Sequence, residues 1–307
     1  MSFREWALIT FTILAQISVG AFLVLGVAHF FAARVAGTDE ADRLSDRALL
    51  AIGPVLVLGL LASLFHLGNP LNAYRAVGNL GTSWLSREIL SSVSFTLVGG
   101  LFALMQWRKI GAYNLRTAVA GVGAVIGLFL VYSMSQVYQL PSQPSWDNLG
   151  TPISFFTTTL LLGALVTGAA FVANYAYVQR DDPSCADAQC QLLRGALRWV
   201  ALAAVVLLGA ELVAAPIQVA YLAAAASPAA NATAQLMFGS YGLILALRLV
   251  LVFVGAGVLS VFLYQNAMSP GHEKIMGTIA YAALGLVLVS EVLGRFIFYA
   301  AHINIGL

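Results

Sequence analysis

Long apolar runs separated by short polar turns organise this chain. A membrane-spanning helix takes about 20 mainly apolar residues. Eight stretches qualify: Ala7–Phe31, Ala48–His66, Leu85–Trp107, Leu115–Tyr138, Pro152–Val178, Leu197–Leu222, Phe238–Tyr264 and Ile275–Ala301. The run Ala7–Phe31 exceeds the short apolar core of a cleavable signal peptide and reads as the first membrane helix. The turns between runs leave no room for a soluble domain. The pattern predicts one all-α polytopic membrane domain over residues 1–307.

Composition agrees. Hydrophobic residues make up 60% of the 307 and charged residues 9%, whereas a soluble domain carries roughly 25% charged residues. So few charges cannot cover a water-facing surface, and lipid is the main solvent. The net charge of +2 is too small to suggest a nucleic-acid partner.

The placement of the charges says more than their number. Lysine and arginine collect in cytoplasmic loops. Arg34, Arg43, Arg47, Arg108, Lys109, Arg116, Arg180, Arg194, Arg198 and Lys274 fall in alternate turns, while Arg4, Arg75 and Arg87 fall on the opposite side. This bias puts both termini on the outer, periplasmic side of a bacterial inner membrane. It also puts the turns His66–Ser83, Gln139–Thr151 and Ala223–Met237 there. The last two carry no lysine or arginine; they read equally as a docking surface or as solvated turns.

Cys185 and Cys190 share one polar stretch. Two cysteines fall short of the four ligands that a structural zinc or an iron–sulfur cluster takes, so they read as free thiols in a turn.

Ionisable groups inside a membrane helix are costly and mark function by default. The densest polar segment runs from His66 to Glu88. Gly68 and Pro70 end the second helix. Trp84 suits the interface. Ser83 or Ser86 suits the cap of the third helix, with Glu88 as a partial capping-box acid. His66 and Glu88 then lie at similar depth on adjacent helices. Two readings stay open. In one they accept protons from a quinol, since histidine titrates near neutral pH and burial brings a glutamate into range. In the other His66 caps a helix end and Glu88 pairs with Arg87 or Arg75.

A b-type haem takes two axial ligands at one depth. Of His29, His66, His272 and His302, only His66 and His302 share the outer side, so haem is not expected. Glu211, Arg248, Glu291 and Arg295 form a second, charge-balanced group, with Glu291 and Arg295 on one helix face. It reads as internal ion pairing or as a proton path or quinone contact. Gln16 in the first helix carries the same two readings.

The run H-L-G-N-P-L-N-A at His66–Ala73, followed by L-G-T-S-W-L-S-R-E at Leu80–Glu88, resembles the membrane anchor subunit of the anaerobic dimethyl sulfoxide reductase family. The opening, with Glu5-Trp6, Phe11-Thr12, Gln16 and Gly20, and the ending E-V-L-G-R-F-I-F-Y at Glu291–Tyr299 are similar to it too. The resemblance implies a quinol-oxidising subunit that acts within an oxidoreductase complex. Its partners would be an iron–sulfur electron-transfer subunit and a molybdopterin-containing catalytic subunit, docked on the periplasmic face. It implies menaquinol binding, with no haem and no iron–sulfur cluster in this chain. His66 and Glu88 match the residues implicated at that family's quinol site. Arg75, Trp84, Arg87 and Gln16 are neighbours to test beside them.

Other readings compete. Anchors of polysulfide or nitrite reductases use similar helices without this pairing. A small transporter would show broken helices in an inverted repeat; Gly53-Pro54 is one candidate break without a counterpart. A purely structural anchor would need neither His66 nor Glu88. A dehydrogenase feeding electrons to quinone would use the same pocket.

Overall fold

In a computed structural model, which describes residues 3–64, 75, 78–181, 188–225, 227–269 and 273–305, the apolar runs are helices. They are α1 Phe3–Ala36, α2 Thr38–Leu64, α3 Trp84–Arg108, α4 Tyr113–Val137, α5 Gly150–Asp181, α6 Ala188–Ala224, α7 Pro228–Phe238, α8 Gly242–Val252, α9 Ser260–Asn266 and α10 Glu273–Ala300. No strand occurs among the described residues. A π-helical segment, Phe253–Leu259, joins α8 to α9, so the three form one span, Gly242–Asn266.

Seven helices among the described residues are long and apolar enough to cross a membrane. This is a multi-span membrane protein. The eighth expected span, Ala48–His66, falls on α2, and its last two residues lie outside the described residues. Pro54 sits inside α2 without ending it, so the break expected of a transporter helix is not found there.

Two turns differ from the sequence reading. The polar stretch after Phe31 is helical on both sides of Gly37, which takes φ +91°, a conformation that glycine reaches without steric cost. Asp39 and Glu40 lie in the first turn of α2, where acids suit the helix dipole. The turn Ala223–Met237 is mostly α7, with Pro228 at its start, where a missing N–H costs nothing. Cys190, read as a free thiol in a turn, is disulfide-bonded and fully buried in α6. Cys185 lies outside the described residues.

α1 and α5 are the central pair. In their most apolar stretches 72% and 78% of residues are buried, against 22–33% in the other spans. The other spans turn side chains such as Leu97, Val125 and Leu243 outward, as lipid-facing helices do. Without a hydrophobic drive in lipid, helices associate through close packing of small residues. Gly20 and Gly163 provide that contact. A Cβ on Gly20 would lie 1.8 Å from the Thr159 carbonyl oxygen, and one on Gly163 would lie 2.2 Å from the Gly20 backbone.

The start of α1 and the end of α10 lie at one end of the bundle, where Trp6 meets Phe296 with ring centroids 6.2 Å apart. The segment 139–149 folds over the same end. The Trp146 indole N–H donates to the Phe298 carbonyl at 2.9 Å, and the ring stacks on His302 at 4.6 Å.

Candidate functional site

The start of α3 is built by three side chains. Ser83 is the N-cap, its hydroxyl accepting from the Ser86 N–H. Arg87 turns back and donates to the carbonyls of Leu80 and Gly81, both at 2.8 Å. Its guanidinium lies 4.1 Å from the Trp84 ring centroid, and Trp84 meets Tyr132 edge-on at 5.5 Å. Arg87 and Trp84 thus clamp the turn before α3. Glu88 sits five residues beyond the cap, too far for a capping box. It points inward with 8% of its surface exposed. Arg75 is exposed, and His66 lies outside the described residues.

The Glu88 carboxyl acts electrostatically on two tyrosines, Tyr138 and Tyr299. Their hydroxyls are hydrogen-bonded to each other at 2.6 Å. Arg295, one turn before Tyr299, donates to Gln16 Oε1 at 3.0 Å and lies 3.6 Å over the Phe155 ring. Gln16 donates in turn to the Phe155 carbonyl at 2.8 Å. The Gly20–Gly163 contact lies one turn from Gln16 on α1 and about two turns from Phe155 on α5, and that close approach brings Gln16 within reach of α5.

Of the residues singled out in the sequence, Trp84 and Arg87 therefore come together at the turn. Glu88 faces the interior, and Gln16 belongs with Arg295. The sequence reading does not find the tyrosine pair between Glu88 and Arg295. Tyrosines near helix ends read as an interfacial belt, and nothing local tells that Tyr138 and Tyr299 meet.

The second charged group resolves into partners. Arg248 donates to Glu211 Oε1 at 2.6 Å. Thr158 donates to Glu291 Oε2 at 2.7 Å. Arg295 reaches Gln16 although Glu291 shares its helix face. Gly294 makes the seat for Arg248, because a Cβ there would lie 2.6 Å from the arginine Nε. A cavity of about 70 Å³ adjoins this group, walled by Thr158, Arg248, Glu291, Arg295 and His302 among others. A second, smaller one touches Glu211 and shares Ser154, Thr158, Gln218 and Arg248.

A different network, equally hidden from the sequence reading, ties the other end of the bundle together. Lys109 bridges Asp42 and Asp46 at 2.9 Å each. Arg116 donates to Asp42 and to Gln106, and Gln106 donates to both aspartates. Burial alone would push the Asp42 carboxyl up. The hydrogen bonds from Lys109 and Gln106, with the charges of Lys109 and Arg116, outweigh that and hold it below the usual range. Lys109 takes φ 53° as the C-cap of α3. Asp42, Asp46, Gln106 and Lys109 find partners within the network and Arg116 joins it through Nη1, which is the mark of a structural clasp. No group of three or more possible metal ligands occurs among the described residues.

Residues 1–301 match a protein family described as DMSO reductase anchor subunit (DmsC). The chain is 30% identical to the anaerobic dimethyl sulfoxide reductase protein YnfH of Escherichia coli, over 99% of this chain and 97% of that one. It is 28% identical, with the same coverage, to a second anaerobic dimethyl sulfoxide reductase polypeptide of that organism. A sulfite dehydrogenase subunit of Allochromatium vinosum is 34% identical over 42% of this chain and 43% of that one. In three dimensions the chain is similar to the bd oxidase structure from Geobacillus thermodenitrificans. The TM-score is 0.70 at 12% identity, over 96% of this chain and 84% of the other, a likeness of fold alone.

Proposed function

The chain belongs to the DMSO reductase anchor-subunit family, and on that premise we propose that it is the quinol-oxidising membrane anchor of a molybdoenzyme complex. Its partners are a molybdopterin-containing catalytic subunit and an iron–sulfur subunit docked on the periplasmic face of the inner membrane. Menaquinol is the substrate. It reaches a pocket beside Glu88, at the end of the bundle where α1 begins and α10 ends.

The observation that carries this reading is Glu88, a buried carboxyl one turn inside α3, with Trp84 one turn before it and the Tyr138–Tyr299 pair within its electrostatic reach. Quinol oxidation releases two electrons and two protons. Electrons pass to the iron–sulfur subunit, so this chain's task is to orient the ring and take the protons. Glu88 is the acceptor for a ring hydroxyl proton, with His66 as its expected partner. The tyrosine hydroxyls position the ring oxygen, and Trp84 packs an apolar face. Protons leave to the outside, where the substrate is reduced, and no net charge crosses the membrane.

The test is quinol oxidation by the assembled complex. Glu88→Gln should lower it about 100-fold or more, the scale of a lost proton acceptor. Assembly and dye-driven activity of the catalytic subunit should stay normal. Normal quinol oxidation in this variant would sink the assignment.

The match to a sulfite dehydrogenase subunit favours one second reading, in which electrons run from the soluble subunits to quinone through the same pocket. Quinone reduction driven by the catalytic subunit's substrate distinguishes the two directions.

A further inference from the structure

Glu211 on α6 and Glu291 on α10 are 6% and 2% exposed. One oxygen of each has a donor: Arg248 for Glu211 Oε1 and Thr158 for Glu291 Oε2. The other two, Glu211 Oε2 and Glu291 Oε1, are buried and have no donor from any side chain or backbone N–H. Yet the two acids are neighbours: Arg248, bonded to Glu211, rests against Gly294 and accepts from the Ser290 hydroxyl beside Glu291, while Thr158, bonded to Glu291, lines the small cavity that touches Glu211. Two carboxylates cannot bond, since an ionised carboxylate only accepts. A single proton between them satisfies both oxygens at once and removes the repulsion of two like charges.

The surroundings make that proton exchangeable. Glu291 borders the larger cavity and Glu211 the smaller one beside it. A space of about 70 Å³ admits a few waters, each needing roughly 10–15 Å³ and polar partners. Thr158, Gln218 and Arg248 border both spaces, and the half-buried His302 and Met237 extend the wall to the end of the bundle. The charged and titratable groups around the pair are Arg248 on α8, Arg295 on α10 and His302 beyond it. With one shared proton the pair carries a single negative charge against two arginines. Loss of that proton to water leaves two carboxylates balanced by two guanidiniums. Both states are electrically tolerable, which an isolated buried carboxylate would not be.

We propose that Glu211 and Glu291 form a buried carboxyl pair sharing one proton, which exchanges with the medium through the adjoining cavity and gives the chain a proton-handling site separate from Glu88.

Infrared difference spectroscopy of the intact complex tests this through the carbonyl stretch of a protonated carboxylic acid. Wild type should show a band from the pair that shifts on transfer to D2O. Glu291→Gln and Glu211→Gln should each abolish that band, because the amide N–H replaces the shared proton as donor. Glu88→Gln should leave it in place, whether or not that variant oxidises quinol, so the fate of the Glu88 assignment is read separately. If one amide variant fails to assemble, the other gives the same reading. Thr158→Val, which keeps both acids, should displace the band without removing it. A band that survives in either amide variant, or that does not shift in D2O, overturns the proposal.

Discussion

The hydroxyls of Tyr138 and Tyr299 stand 2.6 Å apart although 161 residues separate them in the chain. Tyr138 closes α4 and Tyr299 lies in the last turn of α10, so this one bond joins two helices beside Glu88. A bond between two buried hydroxyls adds little net stability, but leaving one of them unpartnered costs about 1–3 kcal/mol. Tyr299→Phe should destabilise the detergent-solubilised complex by that amount, measured by denaturation. Quinol oxidation should fall less than in Glu88→Gln, because the carboxyl remains. Unchanged stability would show that the pair adds nothing to the contact between α4 and α10.

Gly163→Ala should be among the most damaging single-methyl changes in the chain. Its Cβ would lie 2.2 Å from the Gly20 backbone, and backbone cannot swing aside as a side chain can. Overpacking typically costs 1–3 kcal/mol, and here the expectation is about 3 kcal/mol or more. Separation of α1 from α5 should also break the Gln16 bond to the Phe155 carbonyl. Thermal unfolding in detergent measures the first effect. A normal melting temperature would mean that the helices slide past the added methyl.

Asp42 links stability to acid. Its carboxyl is held below the unfolded value, so the stabilisation is fully present above that value and is lost as pH falls through the folded one. With an unfolded aspartate near 3.9, wild type should weaken below about pH 4. Asp42→Asn should remove part of that acid dependence and cost about 1–3 kcal/mol at neutral pH, because Lys109 and Arg116 lose a charged acceptor. Denaturation across pH compares the two. Parallel profiles for the two proteins would exclude Asp42 as the source.

Arg87→Ala should loosen the turn before α3 without moving Glu88 from its helix. The guanidinium makes two charge-assisted bonds to carbonyls, each worth roughly 1.5–3 kcal/mol. Hydrogen exchange of residues 78–83 should rise sharply, and Arg87→Lys should restore only part of the protection, since an ammonium lacks the planar fork. Protection equal to wild type in Arg87→Ala would show that the turn is held by Ser83 and Trp84.

What the sequence determined is whatever follows from local pattern. A run of about 20 apolar residues has one stable form in lipid, a helix, because every backbone polar group must bond within it. The helices therefore lie close to the eight runs, and the family is legible in the motifs around Leu80–Glu88 and Glu291–Tyr299. Glu88 was legible too, since an acid one turn inside a membrane helix is costly wherever it points. Partnership was not. Helical periodicity places Glu291 and Arg295 on one face, yet Arg295 bonds Gln16 from α1 and Glu291 accepts from Thr158 on α5. Those choices follow from which helices approach closely, and the glycine contact between α1 and α5 sets that distance. Lys109 and Arg116 looked like ordinary loop charges for the same reason. A charge in a turn carries no local record of the helix ends that converge on it; only the tertiary packing brings its partner within hydrogen-bonding distance.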